Sequence, residues 1–521
     1  MILGTPDRTE QIQQFAVTAE QMQAIESRIF EAGMPAASLM EKAAGLVARR
    51  IVEILSSPSD RPVRVVGILV GPGHNGGDAL VLARELFFQG YRVVLFSPIS
   101  KRKDLTDAHA QYVASLGIES AEAIASLGHC DLIVDGMFGF GQTRPIEGEL
   151  AEVIETVNSW NRPVFSIDIP SGIHTDTGEV LGTAIRATRT FCLGLWKRAF
   201  LQDSALEWVG SAELVDFDIP LPDIHAVLGS SPQCRRITPG FAIAHLPIPR
   251  HPATHKYKQG HLLIVAGSSR YTGAAVLCGL GARSSGVGML SIAVPESIKP
   301  LLSAQLPEAL IIGCPETEDG AIASLPEELD LSRYDAIACG PGLTSASSSP
   351  LEAILGCDRP VVLDADGLNQ LAQLGTISTL SGRRAPTLLT PHPGEFKRLF
   401  PDLGDLGNRI AVTQEAARLS GAVVLLKGAR VCIATPETVA VNPESTPALA
   451  RGGSGDVLTG LLGGLLAIGA LRDSPPELTA QIAVWWHARA GILAARDRTE
   501  LGVDAFTLTQ YLTSKELFDI S

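Results

Sequence analysis

With 521 residues the chain exceeds the roughly 250–300 residues at which one hydrophobic core stops growing, so two large domains are expected. Hydrophobic residues make up 45% and charged residues 19%, a globular balance that argues against disorder. The formal net charge of −14 disfavours a nucleic-acid partner, which needs clustered Lys and Arg, but leaves room for a nucleotide held by backbone amides and helix N-termini.

In chain order, residues 18–55 read as helical. Thr18 and Gln21 have capping-box spacing, and apolar positions then recur with helical period. Strand 63–70 (VRVVGILV), loop GPGHNGGDA and helix ALVLARELFFQ follow. Next come strand RVVLFS and a helix around Asp107 to Leu116. Strand 131–135 (DLIVD) ends at GMFGFGQTRP, and strand 164–168 (VFSID) ends at IPSG. Apolar strands alternating with helices predict a parallel sheet covered on both faces. Residues 218–258 are rich in Pro, His, Ser and Arg without sustained period, and the junction is placed there, giving domains 1–225 and 226–521. A second α/β series has strands at 261–267, 290–294, 335–340, 360–365, 386–390 and 422–428, then a hairpin-like ARVCIATPETVAVN. It closes on Gly452-Gly453-Ser454-Gly455-Asp456 ahead of a helix from Val457. The apolar run Leu458 to Leu471 is shorter than the roughly 20 residues that span a bilayer, so no membrane is expected. The polar N-terminus is no signal peptide. Eight scattered cysteines without CxxC spacing read as reduced core thiols, and the expected compartment is the cytoplasm.

In the C-terminal half the small residues before Asp456 let a ligand approach, and a helix N-terminus turns amide N–H groups toward an anion. A carboxylate at that mouth can take a proton from an attacking hydroxyl. Asp456 could equally be a helix cap. Four other strand ends are polar or glycine-rich: Gly340-Pro341-Gly342, Asp364-Ala365-Asp366-Gly367, Thr390-Pro391-His392-Pro393-Gly394-Glu395 and Lys427-Gly428-Ala429-Arg430-Val431. Open α/β sheets bind ligands at such carboxyl ends. His392 could be a rigid turn residue, and Lys427 a solvated strand end.

In this order the set resembles the ADP- or ATP-dependent NAD(P)H-hydrate dehydratases of the ribokinase-like superfamily, over roughly residues 240–510. The resemblance implies that Asp456 is the acid/base residue. It implies that Ala274, Gly342, His392 and Asp456 contact the hydrated dinucleotide. It also implies that Lys427, Gly428, Ala429, Arg430, Val431 and Gly455 line the nucleotide; phosphoryl transfer calls for magnesium on its phosphates, and the sequence does not decide ADP against ATP, the fusion tilting the expectation toward ADP by family resemblance alone. The commoner family loop has Thr where Ser454 stands; both carry a hydroxyl.

In the N-terminal half, three strand ends bring together oxygens of Asn75, Asp135, Asp168 and Ser171, a hard set that suits potassium or magnesium and not zinc. Turn formation and capping are alternative roles for Asn75 and Asp78. NxGGD, DGMFGFG and DIPSG in this order resemble the NAD(P)H-hydrate epimerase domain over roughly residues 18–220. That resemblance implies potassium on Asn75, Asp135 and Ser171. It implies substrate on His74, Asn75, Gly76, Gly77 and Asp78, and on Gly139, Phe140, Gly141, Gln142, Thr143, Arg144, Pro145 and Asp168. Asp168 is the expected proton-transfer residue. His74 and Ala79 depart from the commoner NNGGDG, and Lys197 reads as an ordinary surface residue. Together the halves resemble a bifunctional repair enzyme of two Rossmann-like and ribokinase-like α/β domains. It would epimerise NADHX and NADPHX and dehydrate the S form, yielding AMP and phosphate from ADP. Apolar helix faces suggest a homo-oligomer. The alternatives are a small-molecule kinase and a non-catalytic scaffold domain.

Overall fold

The computed structural model describes residues 7–57, 63–344 and 348–519. The chain divides into two compact units between Cys234 and Arg235, nine residues beyond the expected junction at 225. The junction stretch is not structureless: it contains the helices Leu221–Leu228 and Pro239–Ala244 and the short strand Cys234–Arg236.

Among the described residues, the first unit is built on a seven-stranded sheet. Its strands are β1 (Val65–Val70), β2 (Arg92–Phe96), β3 (Glu119–Ser120), β4 (Leu132–Gly136), β5 (Val164–Ile167), β6 (Arg189–Leu193) and β7 (Ser211–Val215). They lie in the order β3-β2-β1-β4-β5-β6-β7, and every pairing is parallel. This is the doubly wound arrangement, in which the order reverses beside the first strand and opens a crevice at the carboxyl ends of β1 and β4. β1 and β4 are buried almost throughout, which explains their unbroken apolar runs. β3, β6 and β7 escape sequence reading because they are two to five residues long and carry Glu, Ser, Arg or Thr.

The helical stretch expected over 18–55 is two helices, α1 (Ala19–Glu31) and α2 (Ala36–Ser56). Gly33 at φ +101° and Pro35 at the cap of α2 break it, since a left-handed residue and a proline cannot continue a helix. The Thr18–Gln21 capping box does form. Helix α3 (His74–Phe88) begins inside the glycine-rich loop, so Asn75 to Asp78 occupy its first turn. Gly71 is needed behind that turn: a Cβ there would fall 1.7 Å from the carbonyl oxygen of Met137.

The second unit carries a ten-stranded sheet among the described residues. Its strands are β8 (Cys234–Arg236), β9 (His261–Val265), β10 (Met289–Pro295), β11 (Leu310–Cys314), β12 (Ala336–Cys339), β13 (Val361–Leu363), β14 (Thr387–Leu389), β15 (Val423–Leu426), β16 (Val431–Ala434) and β17 (Val439–Asn442). The order is β8-β17-β16-β15-β14-β13-β12-β9-β10-β11. The pairings from β15 through to β11 are parallel, and β15, β16 and β17 meander antiparallel, as the hairpin-like sequence led one to expect. Helix α4 (Thr272–Ser285) packs on helix α5 (Ser454–Ala470). Their glycines set the spacing. A Cβ on Gly281 would lie 2.1 Å from the Val457 carbonyl oxygen, and one on Gly460 would lie 1.8 Å from that of Cys278. Every residue of α5 from Val457 to Gly469 is buried, so its apolar run is core and not a membrane segment. No described helix is long and apolar enough to cross a membrane.

Candidate functional site

Each unit has a cavity at the carboxyl ends of its central strands. In the first unit a cavity of about 610 Å³ is lined by α1, α2, the start of α3, the loop after β4, Asp168 and Lys197. Asp168 follows β5 and is 3% exposed. Its φ of +67° is a left-handed conformation that Asp tolerates better than most residues. Oδ1 accepts from Lys197 Nζ at 2.5 Å and from the Leu193 amide at 3.4 Å, while Oδ2 accepts from the Phe140 amide at 2.8 Å. Lys197 also donates to the Leu193 carbonyl at 2.6 Å and is fully buried. The surface reading of Lys197 is therefore wrong. The short parallel pairing of Ala16–Val17 with Trp196–Lys197 draws that segment inward, and nothing in the local sequence LGLWKRAF announces it. Burial pulls the Lys197 ammonium down, but Asp168, Cys192 and Glu26 together outweigh it and raise the group above its ordinary value.

Two further carboxyls face this ion pair. Glu26 of α1 lines the cavity and is pushed up to about 7 by burial, with Lys197 opposing and Asp168 reinforcing. Asp78 is raised well above the usual carboxylate range by burial and by Asp168 and Glu26. Glu26 was missed in the sequence. Its signal was a lone acid on the otherwise apolar inner face of α1, after Met22 and Ile25.

Of the expected contact residues, His74, Asn75, Asp78, Gly139, Phe140, Gly141, Gln142 and Asp168 line the cavity. Gly76 and Gly77 do not line it. They are buried under it, where a Cβ would strike the Gly71 carbonyl or Met40. Thr143, Arg144 and Pro145 are exposed and stand outside it. Asp135 and Ser171 lie beneath the floor and are bonded to each other. Asp135 Oδ1 accepts from Ser171 Oγ at 2.6 Å and from the Met137 amide at 3.2 Å; Oδ2 accepts from Ser166 Oγ and the Ser171 amide, both at 2.9 Å. Asp135 is wholly buried, and among the described residues no cation pairs with it. Burial raises it against those hydrogen bonds. A buried carboxylate beside the hydroxyl of Ser171 presents hard oxygens of the kind an oxygen-ligated cation takes.

In the second unit a cavity of about 450 Å³ is lined by Arg270, Tyr271, Ala274, Gly342, Thr344, Asp366 and Asp456. α5 begins at Ser454, three residues earlier than expected, so Asp456 sits in its first turn. Burial and the neighbouring Asp364 push the Asp456 carboxyl up to about 7, with Lys427 opposing. Asp364 is almost fully buried at the end of β13. It accepts from Lys427 Nζ at 2.7 Å and from Thr459 Oγ1 at 2.6 Å. Glu395 Oε2 lies 4.0 Å from the same ammonium. Lys427 is thus a clamped cation between two carboxylates and not a solvated strand end. Burial lowers it, and Asp364 and Glu395 more than restore it. A Cβ on Gly455 would lie 3.5 Å from Lys427 Nζ.

Ala274 and Gly342 line the cavity with Asp456, whereas His392 does not. His392 caps the helix Pro393–Leu399: its Nδ1 accepts from the Gly394 amide at 2.9 Å, and its own amide donates to Glu395 Oε2 at 2.8 Å. Gly428 and Ala429 form an exposed turn between β15 and β16, while Arg430 and Val431 are half-buried beside it. His487 was also missed. It is buried under the loop, its Nε2 3.0 Å from the Ser454 carbonyl, and burial lowers it to about 4, so it is a neutral donor. Only the chain fold brings it there, from 33 positions away.

Comparison with known proteins follows the same division. Residues 36–199 match the family model described as YjeF-related protein N-terminus, and residues 262–514 match that described as NAD(P)H-hydrate dehydratase. A Synechocystis protein described as bifunctional NAD(P)H-hydrate repair enzyme Nnr is 53% identical, over 95% of this chain and 94% of that protein. One of the same description from Thermofilum pendens is 36% identical over 91% and 90%. The crystal structure of the ADP/ATP-dependent NAD(P)H-hydrate dehydratase from Bacillus subtilis, co-crystallised with ATP and Mg2+, is 35% identical. It covers 53% of this chain and 95% of its own, with a TM-score of 0.45.

Proposed function

We propose the following chemistry from the premise that the chain belongs to the bifunctional NAD(P)H-hydrate repair enzymes. Its activities are those of an NAD(P)H-hydrate epimerase and an NAD(P)H-hydrate dehydratase. The dehydratase reading rests on one observation above others: Asp456, raised to about 7, faces a cavity shared with Ala274 and Gly342. A carboxylate of that basicity is matched to taking a proton near neutral pH. Asp456 removes the proton of the 6-hydroxyl on the hydrated nicotinamide. The hydroxyl oxygen attacks the terminal phosphorus of ADP, and AMP departs. The ring nitrogen lone pair then expels phosphate, and loss of a proton from the adjacent carbon restores NAD(P)H. Lys427 and the loop from Gly428 to Val431, with Gly455, hold the nucleotide, and His392 contacts the dinucleotide.

Among the described residues no cluster of three His, Cys or carboxylate groups could hold a metal. Asp366 at the cavity wall is the carboxylate that would hold magnesium bound with the nucleotide phosphates. Magnesium supplies charge neutralisation at those phosphates.

In the first unit, Asp168 moves the proton during R–S interconversion, and the lining residues His74, Asn75, Asp78, Gly139, Phe140, Gly141 and Gln142 hold the dinucleotide. Asn75, Asp135 and Ser171 would hold potassium, which would supply the counter-charge that the buried Asp135 lacks. Eight free thiols fit a reducing cytoplasm. Self-association is read from exposed apolar side chains such as Phe88, 57% exposed. The test is incubation of S-NADPHX with ADP, ATP or neither, following recovery of the reduced-cofactor absorbance and chromatography of nucleotide products. Recovery with AMP and phosphate is expected from ADP; a stable phosphorylated dinucleotide would overturn the mechanism.

A further inference from the structure

The first-unit cavity holds more acid than its assigned roles use. Lys197 is the buried cation there, and it is committed to Asp168. Asp168 is pinned: its two oxygens accept from an ammonium and two backbone amides. Every one of those contacts is a donor to it, which suits receiving a proton from substrate and not supplying one. Glu26 is different. It reaches the cavity from another element, α1, is half-buried, and has no hydrogen-bond partner among the described residues. Burial without donors favours the protonated acid. The charged groups that face it are Lys197, Asp168 and Asp78. On the helix packed against α1, Leu221–Leu228, Asp223 is engaged by Arg28 and His225 by the Phe15 ring. On the far cavity wall stand His74 and Lys103.

Epimerisation of a carbon bearing a hydroxyl and a ring nitrogen needs one group that delivers a proton and one that receives it. We propose that Glu26 is the general acid of the epimerase cavity, working opposite Asp168 as base; this rests on the assignment of that cavity as the epimerase site. The Glu26 proton passes to the 6-hydroxyl oxygen, the C6–O bond pair leaves with that oxygen as water, and the N1 lone pair forms the C6=N1 bond. Water then adds to the opposite face of C6, the π pair returns to N1, and the water's surplus proton goes to Asp168. Exchange with solvent resets both carboxyls. Lys197 stays paired with Asp168 through the first half of this sequence. The position near 7 to which Glu26 is raised keeps a useful protonated fraction at neutral pH.

The test uses the full chain with R-NADPHX and no nucleotide, following the R/S ratio by chromatography. Glu26→Gln is expected to lower kcat for epimerisation about 100-fold, with KM changed less than about threefold. The fall in kcat above about pH 7 that the acid imposes on the wild type is expected to vanish. Glu26→Asp should recover part of the rate. Dehydration of the S form by the same preparation with ADP should be unchanged. Near-normal kcat and an unaltered pH profile in Glu26→Gln, with Asp168→Asn inactive, would overturn the acid role alone. A loss carried mainly by KM, or one that Glu26→Asp does not relieve, would also overturn it in favour of a structural role. If Asp168→Asn too keeps the wild-type rate, the cavity is not the epimerase site.

Discussion

Replacing Lys197 by Met probes the buried ion pair directly. The two charges meet at 2.5 Å, with the lysine side chain 0% and the aspartate side chain 4% exposed. Removing one partner of such a pair leaves the other charge buried and uncompensated, which costs about 3–5 kcal/mol. For a unit of this size each kcal/mol moves the midpoint by roughly 2–4 °C, so the unfolding transition of the first unit should fall by about 6–20 °C in calorimetry of the full chain. Asp168→Asn combined with Lys197→Met should recover most of that loss, because the buried charge is gone with its partner. The sign with pH can be worked out. Lys197 is raised by the fold, so its contribution is full below the unfolded lysine value near 10.4 and is lost only as pH rises through the higher folded value. Between pH 7 and 9 the penalty should therefore be constant. Toward acid pH it should shrink, since the orphaned carboxylate can neutralise itself with a proton. Epimerisation should be lost in both variants. A single variant that unfolds with the wild type, or a double variant no better than the single, would refute the argument that the pair is tightly coupled and buried.

Asp456→Asn should lower dehydration about 10²–10⁴-fold and abolish the rise of kcat with pH through about 7, measured on S-NADPHX with ADP. The same variant should be more stable than wild type. A carboxyl raised from 3.8 to about 7 binds its proton more tightly when folded, so stability falls as pH climbs between those values. The gain from Asn should grow over that range to at most about 4 kcal/mol and then level off, as denaturant titrations at each pH would show. His487→Phe removes the neutral donor beneath Ser454. It should cost about 1–3 kcal/mol and weaken dehydration while leaving epimerisation intact in the same preparation. Gly340→Ala would put a Cβ 1.8 Å from the Asp364 carbonyl oxygen at a φ of +133°, so dehydration should collapse with epimerisation spared. Exchanging potassium for a bulky organic cation should slow epimerisation and not dehydration, and Asp135→Asn should remove that dependence, read from rate against cation concentration.

The α/β class, the paired architecture and the strand ends that face each cavity were legible because they depend on local signals. Long apolar runs mark buried parallel strands, and glycine-rich loops before helices mark close backbone approach. Asn75, Asp78, Asp168 and Asp456 announced themselves by following such strands or loops. Element boundaries were less legible: Gly33 and Pro35 split one expected helix, and the first turns of α3 and α5 reach back into loops that glycine composition alone reads as irregular. Short strands with polar residues, β3 and β7 among them, give no periodic signal because their neighbours supply the pairing.

What only tertiary structure decided is the electrical environment of each carboxyl. The sequence holds Glu26, Asp78, Asp168 and Lys197 as four ordinary charges spread over 172 residues. Folding puts them at one cavity with one ammonium among three acids, pairs that ammonium with Asp168, and leaves Glu26 raised to about 7 by burial. The same holds for Asp456, whose basicity comes from its burial and from Asp364, 92 residues away, and for Lys427, which is clamped by Asp364 while still partly exposed. Burial and charge–charge distance are sums over the whole fold, so no window of sequence can contain them.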